Sequence, residues 1–407
     1  MVVFTTNEVL TKLLSDGDSP FLCLFDLEKP FDSIEYNVLL HHLYASGING
    51  KAWQLIKSWY TDPICAVCFN GFLSSSFSIS HGVKQGAVLS PILFNLVMNQ
   101  ILDGMSRDIG LSVAGVDAGC GAHADDIRTC TVGVVEVERQ AEFLESLTSE
   151  SSLCLNTDKT EIVHIACHPL PVENIPINNA QVKTSKEAKC LGVWWSQDLS
   201  SRKSIEEHIS KSRRAFFALG AIDVFQGACN PLSALSLFNT FVLPIMLYGC
   251  EIWSLNDPLL KKLESFQGEI GKKILKLPKY YNNLSVRIAL KWPSFKVLIL
   301  IRKLVYLAKL LSLEPSSTTH ARLFHSLASA NIMDVSLIRQ CKELEMFYET
   351  NFWQACIDPP DEAIHIVKEA KAILLEKDWV ITVNHARSHL SLKCICDASI
   401  VDASMHS

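Results

Sequence analysis

Phe21-Leu22-Cys23-Leu24-Phe25-Asp26-Leu27 is the stretch on which the fold turns. Five apolar residues, two of them aromatic, form a run too short for a helix, and they read as a buried strand. A carboxylate at the end of such a strand is fixed in position and partly desolvated. That suits a magnesium ligand, because magnesium takes hard oxygen donors in near-octahedral order. The second acidic signal, 99 positions on, is Ala122-His123-Ala124-Asp125-Asp126. Taken alone, adjacent acids are a solvated turn; brought near Asp26, they repel unless a cation sits between them. Three acids converging from two strand ends can hold two divalent ions. Ions about 3.5–4 Å apart clamp the attacking and leaving oxygens of a phosphoryl transfer.

The 407-residue chain is long enough for two or three domains. With 48% hydrophobic and 20% charged residues, it folds around a large core and is neither disordered nor repetitive. The net charge of -6 argues against a nucleic-acid partner until its distribution is read. Residues 1–150 carry 8 Lys and Arg against 18 Asp and Glu, whereas residues 201–310 carry 17 against 7. An acidic half followed by a basic half suits an enzyme that grips a polyanion. Fourteen cysteines without a framework point to a reducing, intracellular compartment. Cys65-Ala66-Val67-Cys68 has no matching second pair, and Cys394-Ile395-Cys396 near His385 and His389 lacks the usual structural spacing, so neither is expected to hold zinc. The N-terminus lacks the features of a signal peptide, so secretion is not expected. Leu232–Trp253 is apolar enough to suggest a membrane span, but Asn239, Thr240, Pro244 and Glu251 favour a buried helix broken at Pro244.

Local signals order the rest. Asp32 or Ser33 caps a helix running to about Ala45, with Gly47 as its stop. A second helix covers Lys51–Tyr60. Residues 64–69 and 76–80 form a hairpin around Asn70-Gly71. Ser90-Pro91 opens the clearest helix, serine as N-cap and proline at the first position. Residues 111–116 and 120–132 are strands, with Asp125-Asp126 at a tight turn. Residues 136–152 are helical, and an extended segment runs from Leu153 to about Ile165. The stretch 167–185, rich in Pro and Asn, reads as a loop, and Leu191–Trp195 as a strand. From Ser204 the pattern is almost all helical, punctuated by prolines.

With these blocks in order, the chain resembles the reverse transcriptases of non-LTR (LINE-type) retrotransposons. Phe25-Asp26-Leu27-Glu28-Lys29-Pro30-Phe31-Asp32-Ser33 looks like their first catalytic block. Gly82-Val83-Lys84-Gln85-Gly86-Ala87-Val88-Leu89-Ser90-Pro91 resembles their template-grip block, and Ala124-Asp125-Asp126 their metal-binding turn. Leu153-Cys154-Leu155-Asn156-Thr157-Asp158-Lys159-Thr160 is similar to the block that follows. Cys190-Leu191-Gly192-Val193 resembles the primer-grip hairpin, and Leu243–Trp253 a segment beyond the polymerase core. The likeness runs from about residue 20 to about residue 310.

The resemblance implies an α+β fold: a right-hand polymerase palm, with an antiparallel sheet packed on helices, then a mostly helical thumb-like and C-terminal region. Residues 1–165 would be the palm with remnant fingers. Residues 166–310 would be the primer-grip hairpin and basic thumb-like region, and 311–407 a helical region of unknown role. It further implies two Mg2+ ions on Asp26, Asp125 and Asp126, with the Leu27 carbonyl helping. Phe31 would exclude a 2′-hydroxyl, Gln85 and Gly86 would lie against template and incoming base, and Lys159 would serve the leaving pyrophosphate. RNA template, DNA primer and deoxynucleoside triphosphates would be the partners. Arg213, Arg214, Lys261, Lys262, Lys272, Lys273, Lys276 and Lys279 could meet backbone phosphates, and Tyr280 and Tyr281 could stack on bases; Trp292 reads as core.

Two departures stand out. Pro30 replaces a small residue, and His123 replaces an aromatic one. In a continuous strand His123 and Asp125 would face the same side. Only about 25 residues precede Asp26, where the family carries a fingers region, so the chain reads as truncated there and possible loss of activity is part of the expectation. The competing readings are a non-catalytic nucleic-acid-binding relic and a metal phosphohydrolase built on His123, Asp125 and Asp126.

Overall fold

The computed structural model describes residues 1–84, 86–108, 110–166, 174–177, 180–220, 230–358 and 360–388. They fall into two compact units, Met1–Leu191 with Ser196–Leu199, and Gly192–Trp195 with Ser200–Ser407.

The first unit is built on four strands: β1 (Pro20–Leu27), β2 (Cys120–His123), β3 (Asp126–Val132) and β4 (Leu155–His164). Their order is β4-β1-β3-β2, antiparallel throughout. The apolar run thus lies inside the sheet. Phe21, Cys23 and Phe25 join one core with α2 (Tyr36–Ala45), α3 (Ser90–Asp108) and α4 (Val134–Glu150), through Leu39, Leu43, Phe94, Val97, Val137 and Leu144. Leu22 and Leu24 are buried as well. Helix α1 (Val2–Ser15) packs on β1, β2 and β3 and buries Phe4, Val9, Leu10 and Leu13. A strand covered on both faces has no polar alternation, hence its unbroken apolar sequence. Each such side chain contributes about 1.5–3 kcal/mol when fully buried.

Several local expectations need correction. The helix expected from Asp32 or Ser33 is two pieces, Pro30–Ser33 and Tyr36–Ala45. The break occurs because Ile34 is fully buried and extended, and its carbonyl accepts the Gly82 N–H at 2.8 Å. Ser90 is not an N-cap: its hydroxyl donates to the Lys84 carbonyl at 2.6 Å, tying down the preceding loop. Within the expected loop 167–185, Asn174–Ile177 and Ala180–Lys183 pair as antiparallel strands. Ile175, Ile177 and Val182 are buried there, an alternation the flanking polar residues masked. The hairpin around Asn70-Gly71 and the helix Gly50–Trp59 match expectation, and the turn expected at Asp125-Asp126 falls one residue earlier, at Ala124-Asp125.

The described part of the second unit is almost entirely helical. Around Pro244 the helix Pro231–Leu237 passes through a π turn, Phe238–Val242, into Leu243–Met246. A proline cannot donate to the preceding turn, and the widened turn absorbs that loss. Among the described residues no helix is long and apolar enough to cross a membrane. The Cys394 and Cys396 pair lies outside the described residues.

Two buried polar groups organise this unit. The Asp378 carboxylate accepts from Arg287 Nη2 at 3.0 Å, Ser294 N–H at 2.9 Å, Ser294 Oγ at 2.6 Å and Tyr348 Oη at 3.1 Å. This saturated cluster pins the helix Asn283–Ala289 to Ala363–Ser388. Glu345 is fully buried: its Oε2 accepts from the Trp353 N–H at 3.3 Å, and its Oε1 has no hydrogen bond. Burial outweighs the backbone N–H groups of Trp353 and Phe352, and its pKa is pushed up to about 7.

Candidate active site

The site residues stand at the end of the sheet where β1 finishes and β3 begins. The last β1–β3 pair is Phe25 with Ile127, so the next positions are Asp26 and Asp126. Ala124 takes a left-handed conformation (φ 55°), which turns the chain sharply before Asp126. Because of that turn the alternation does not run from His123 to Asp125. His123 pairs instead with Asp126 across the β2–β3 ladder, and the expectation that His123 and Asp125 share a strand face is overturned.

Asp126 feels this crowding. Partial burial of its carboxyl, then the negative charges of Asp125 and Asp26, raise its pKa, while His123 opposes the shift. Like charges disfavour a second ionised carboxylate nearby. Asp26 Oδ2 is buried without a hydrogen bond. Lys159 Nζ stands 3.2 Å from it, an ion pair whose angle does not make a hydrogen bond.

Lys159 reaches Asp26 because β4 bulges. Leu24 pairs with Glu161, yet Asp26 pairs with Asn156, so the register slips between them. The slack is taken up over Thr157–Thr160. Asn156 Oδ1 accepts the Lys159 N–H at 3.3 Å, and the Asn156 carbonyl accepts Thr160 Oγ1 at 2.8 Å. Asparagine closing a local turn on its own backbone is the physical signal for this bulge, legible in principle in Asn156-Thr157-Asp158. A cleft of about 310 Å³ lies beside it, lined by Glu28, Lys29, Ser33, Cys154, Asn156 and Lys159. Cys190 is also close: its thiol pKa is raised, first by burial and then by the charge of Asp126.

A second loop docks on the segment after β1. Gly82 N–H donates to the Ile34 carbonyl, and Val83 N–H to the Phe31 carbonyl, both at 2.8 Å. Gly82 has φ +90°, and a Cβ there would stand 3.0 Å from Asp32 Cα and the Phe31 carbonyl oxygen. Only glycine fits this approach. Phe31 is half-buried and stacks on Phe94, ring centroids 4.2 Å apart. Leu27 is buried at the β1 terminus and pairs with Leu155. Gly86 is exposed with φ +83°, and Gln85 lies outside the described residues. At the primer-grip block, Leu191 and Gly192 both have positive φ (49° and 83°), a two-residue hairpin turn flanked by Glu187–Cys190 and Val193–Ser196.

The donor set is hard oxygen, with one orphaned carboxylate oxygen and mutual repulsion that a cation would relieve. This chemistry fits a divalent metal. Among the described residues, however, no three His, Cys, Asp or Glu side chains are gathered into a ready cage. The Lys159 ammonium holds the position beside Asp26.

Residues 5–195 match the profile of the reverse transcriptase (RNA-dependent DNA polymerase) family. They are a reverse transcriptase domain. Its relatives include proteins of retrotransposable and mobile elements. The chain is 24% identical over 273 residues to the Retrovirus-related Pol polyprotein from type-2 retrotransposable element R2DM of Drosophila melanogaster, covering 64% of this chain and 25% of that one. It is 24% identical over 283 residues to the RNA-directed DNA polymerase from mobile element jockey of Drosophila funebris, covering 67% and 30%. The chain therefore spans about a quarter to a third of these relatives. Among solved structures, telomerase from Candida tropicalis, in complex with a TWJ fragment of telomeric RNA, is similar at a TM-score of 0.39 and 12% identity, covering 89% of this chain and 51% of that one. Reverse transcriptases as a family work with divalent metal ions.

In the basic helices, part of the charge is engaged internally. Arg213 makes a two-pronged bond to Glu269, at 3.1 and 2.7 Å, and Lys262 pairs with Glu206. Trp292 is buried at 2% exposure and belongs to the core, as its sequence context implied. Tyr280 and Tyr281 are exposed and stacked on each other.

Proposed function

We propose that this chain carries out RNA-directed DNA synthesis, extending a DNA primer on an RNA template from deoxynucleoside triphosphates inside the cell. The observation that carries the reading is the junction of Asp26, near the end of β1, with Asp126, the first residue of β3, and Asp125 in the turn before it, where burial and then the charges of Asp125 and Asp26 raise the cost of ionising Asp126. Asp26, Asp125 and Asp126 would hold two Mg2+ ions, helped by the Leu27 carbonyl. Those ions supply charge stabilisation at the reacting phosphate and the attacking oxygen.

The chain's own groups do the remaining work. Phe31, backed by Phe94, forms the floor under the sugar and excludes a 2′-hydroxyl. Gly86 lets the backbone approach the incoming base, and Gln85 lies against the template. Lys159 passes a proton, or its charge, to the leaving pyrophosphate, a task worth about 10²–10⁴ in rate. The thumb-like residues 166–310 offer cations such as Lys261, Lys276 and Lys279 to backbone phosphates, with Tyr280 and Tyr281 for stacking. Residues 1–165 act as the palm with remnant fingers.

One observation favours the relic reading instead: the Lys159 ammonium stands 3.2 Å from the Asp26 carboxylate. Primer extension on an RNA template with Mg2+ separates the two. Template-dependent extension that Asp125→Ala abolishes supports the polymerase; nucleic-acid binding without extension sinks it.

A further inference from the structure

Asp32, Tyr36 and residues 78–84 line a cavity of about 630 Å³. Ligand sites commonly enclose ~300–1,000 Å³. Backbone contacts hold its walls. Glu35 and His81 form an antiparallel bridge, Gly82 N–H donates to the Ile34 carbonyl at 2.8 Å, and Ile79 N–H donates to the Pro63 carbonyl at 3.1 Å.

Its side chains have the chemistry of a nucleotide site. Tyr36 is half-buried and packs on Tyr60, ring centroids 4.9 Å apart. The exposed His81 ring is steadied by Ser80, whose Oγ lies 2.7 Å from its Nδ1. Lys84 is exposed, while its carbonyl is tied to the Ser90 hydroxyl. Aromatic faces stack on a base whatever its identity, and an ammonium meets the phosphate. Asp32 is an exposed carboxylate that accepts hydrogen bonds and repels phosphate, so it suits a ribose hydroxyl.

Exclusion identifies the strand that supplies this nucleotide. Asp26, Asp125 and Asp126, which would meet the primer end, are not among the described lining residues. Nor is Phe31, the floor under the incoming sugar. Lys84 does line the cavity, and it immediately precedes Gln85, the residue proposed to lie against the template. Among the strands of the reaction, the template is the one that fits.

We propose that this cavity holds the unpaired template ribonucleotide one position ahead of the templating base, its base on the Tyr36 and His81 rings and its phosphate at Lys84. The proposal rests on the polymerase reading. Fluorescence anisotropy of the full chain tests it, on primer–template duplexes whose RNA strand leaves one or two nucleotides unpaired. The second nucleotide should tighten wild-type binding about 10-fold, the size of one base–aromatic stack. A 2-aminopurine at that position should be quenched on binding. Tyr36→Ala with His81→Ala should abolish both the gain and the quenching. The gain is a ratio of two affinities on one preparation, so a partly folded variant does not mimic its loss. Should the double variant fail to fold, His81→Ala alone decides, because it leaves Tyr36 on Tyr60; the gain should then fall to about 3-fold. A wild type that gains nothing from the second nucleotide, or variants that keep the full gain, overturn the proposal. Extension that Asp125→Ala abolishes would still leave the polymerase reading standing. A chain that binds no primer–template sinks both.

Discussion

Glu345→Gln should change how stability depends on pH. Glu345 is buried, one carboxyl oxygen is unpartnered, and its pKa rises from 4.5 to about 7. Between these values the folded chain holds a proton that the unfolded chain has released. Stability therefore falls as pH rises through that window, because the folded state binds more protons there. The full contribution is present below about pH 4.5 and gone above about pH 7. The rise from 4.5 to about 7 corresponds to on the order of 3 kcal/mol. Gln cannot ionise, and its amide oxygen can still accept from Trp353, so this part of the pH dependence should vanish. Urea unfolding followed by tryptophan fluorescence at pH 5, 6, 7 and 8, on wild type and variant, measures it. Relative to wild type, Glu345→Gln should gain stability from pH 5 to about pH 7 and level off by pH 8. A difference between the two that stays constant across this range would refute the reasoning.

Asp26→Asn should alter stability by no more than about 1 kcal/mol, since the lost partner is an exposed lysine, while primer extension falls by at least ~10³-fold; urea unfolding beside extension assays checks both. Lys159→Met should lower single-turnover extension by roughly 10²-fold and leave template binding intact, read by rapid quench and fluorescence anisotropy. Gly82→Ala forces a Cβ against Asp32 at positive φ and should cost more than ~1 kcal/mol of stability, with extension reduced, measured by thermal melting and primer extension.

Much of the fold was legible because its signals are local. The run Phe21–Phe25 is apolar since both sheet faces are covered, and Asn70-Gly71 and Gly47 mark the turns that their backbone angles require. What escaped depended on distant partners. Nothing near Ile34 announces that its carbonyl is taken by Gly82, and Ser90 beside Pro91 looks like a cap until the Lys84 carbonyl claims its hydroxyl. Helix α1 was missed because its buried face includes polar residues, Thr5, Thr6 and Glu8 among them. The acids were legible as types and spacing; the bulge has a local signal in Asn156-Thr157-Asp158, but the register slip that brings Lys159 to Asp26 has none, because register is a property of two strands at once.

The placement of β1 has a consequence for how the chain is made. Its flanking partners are β3, ending at Val132, and β4, ending at His164. At about 5–20 residues per second, roughly 7–27 s of synthesis separates the emergence of Leu27 from that of His164. Through that interval a strand apolar but for Asp26 waits with at least one edge unpaired. A nascent chain of this kind needs a chaperone's shelter, and a ribosome stalled before codon 164 would release a fragment prone to aggregate.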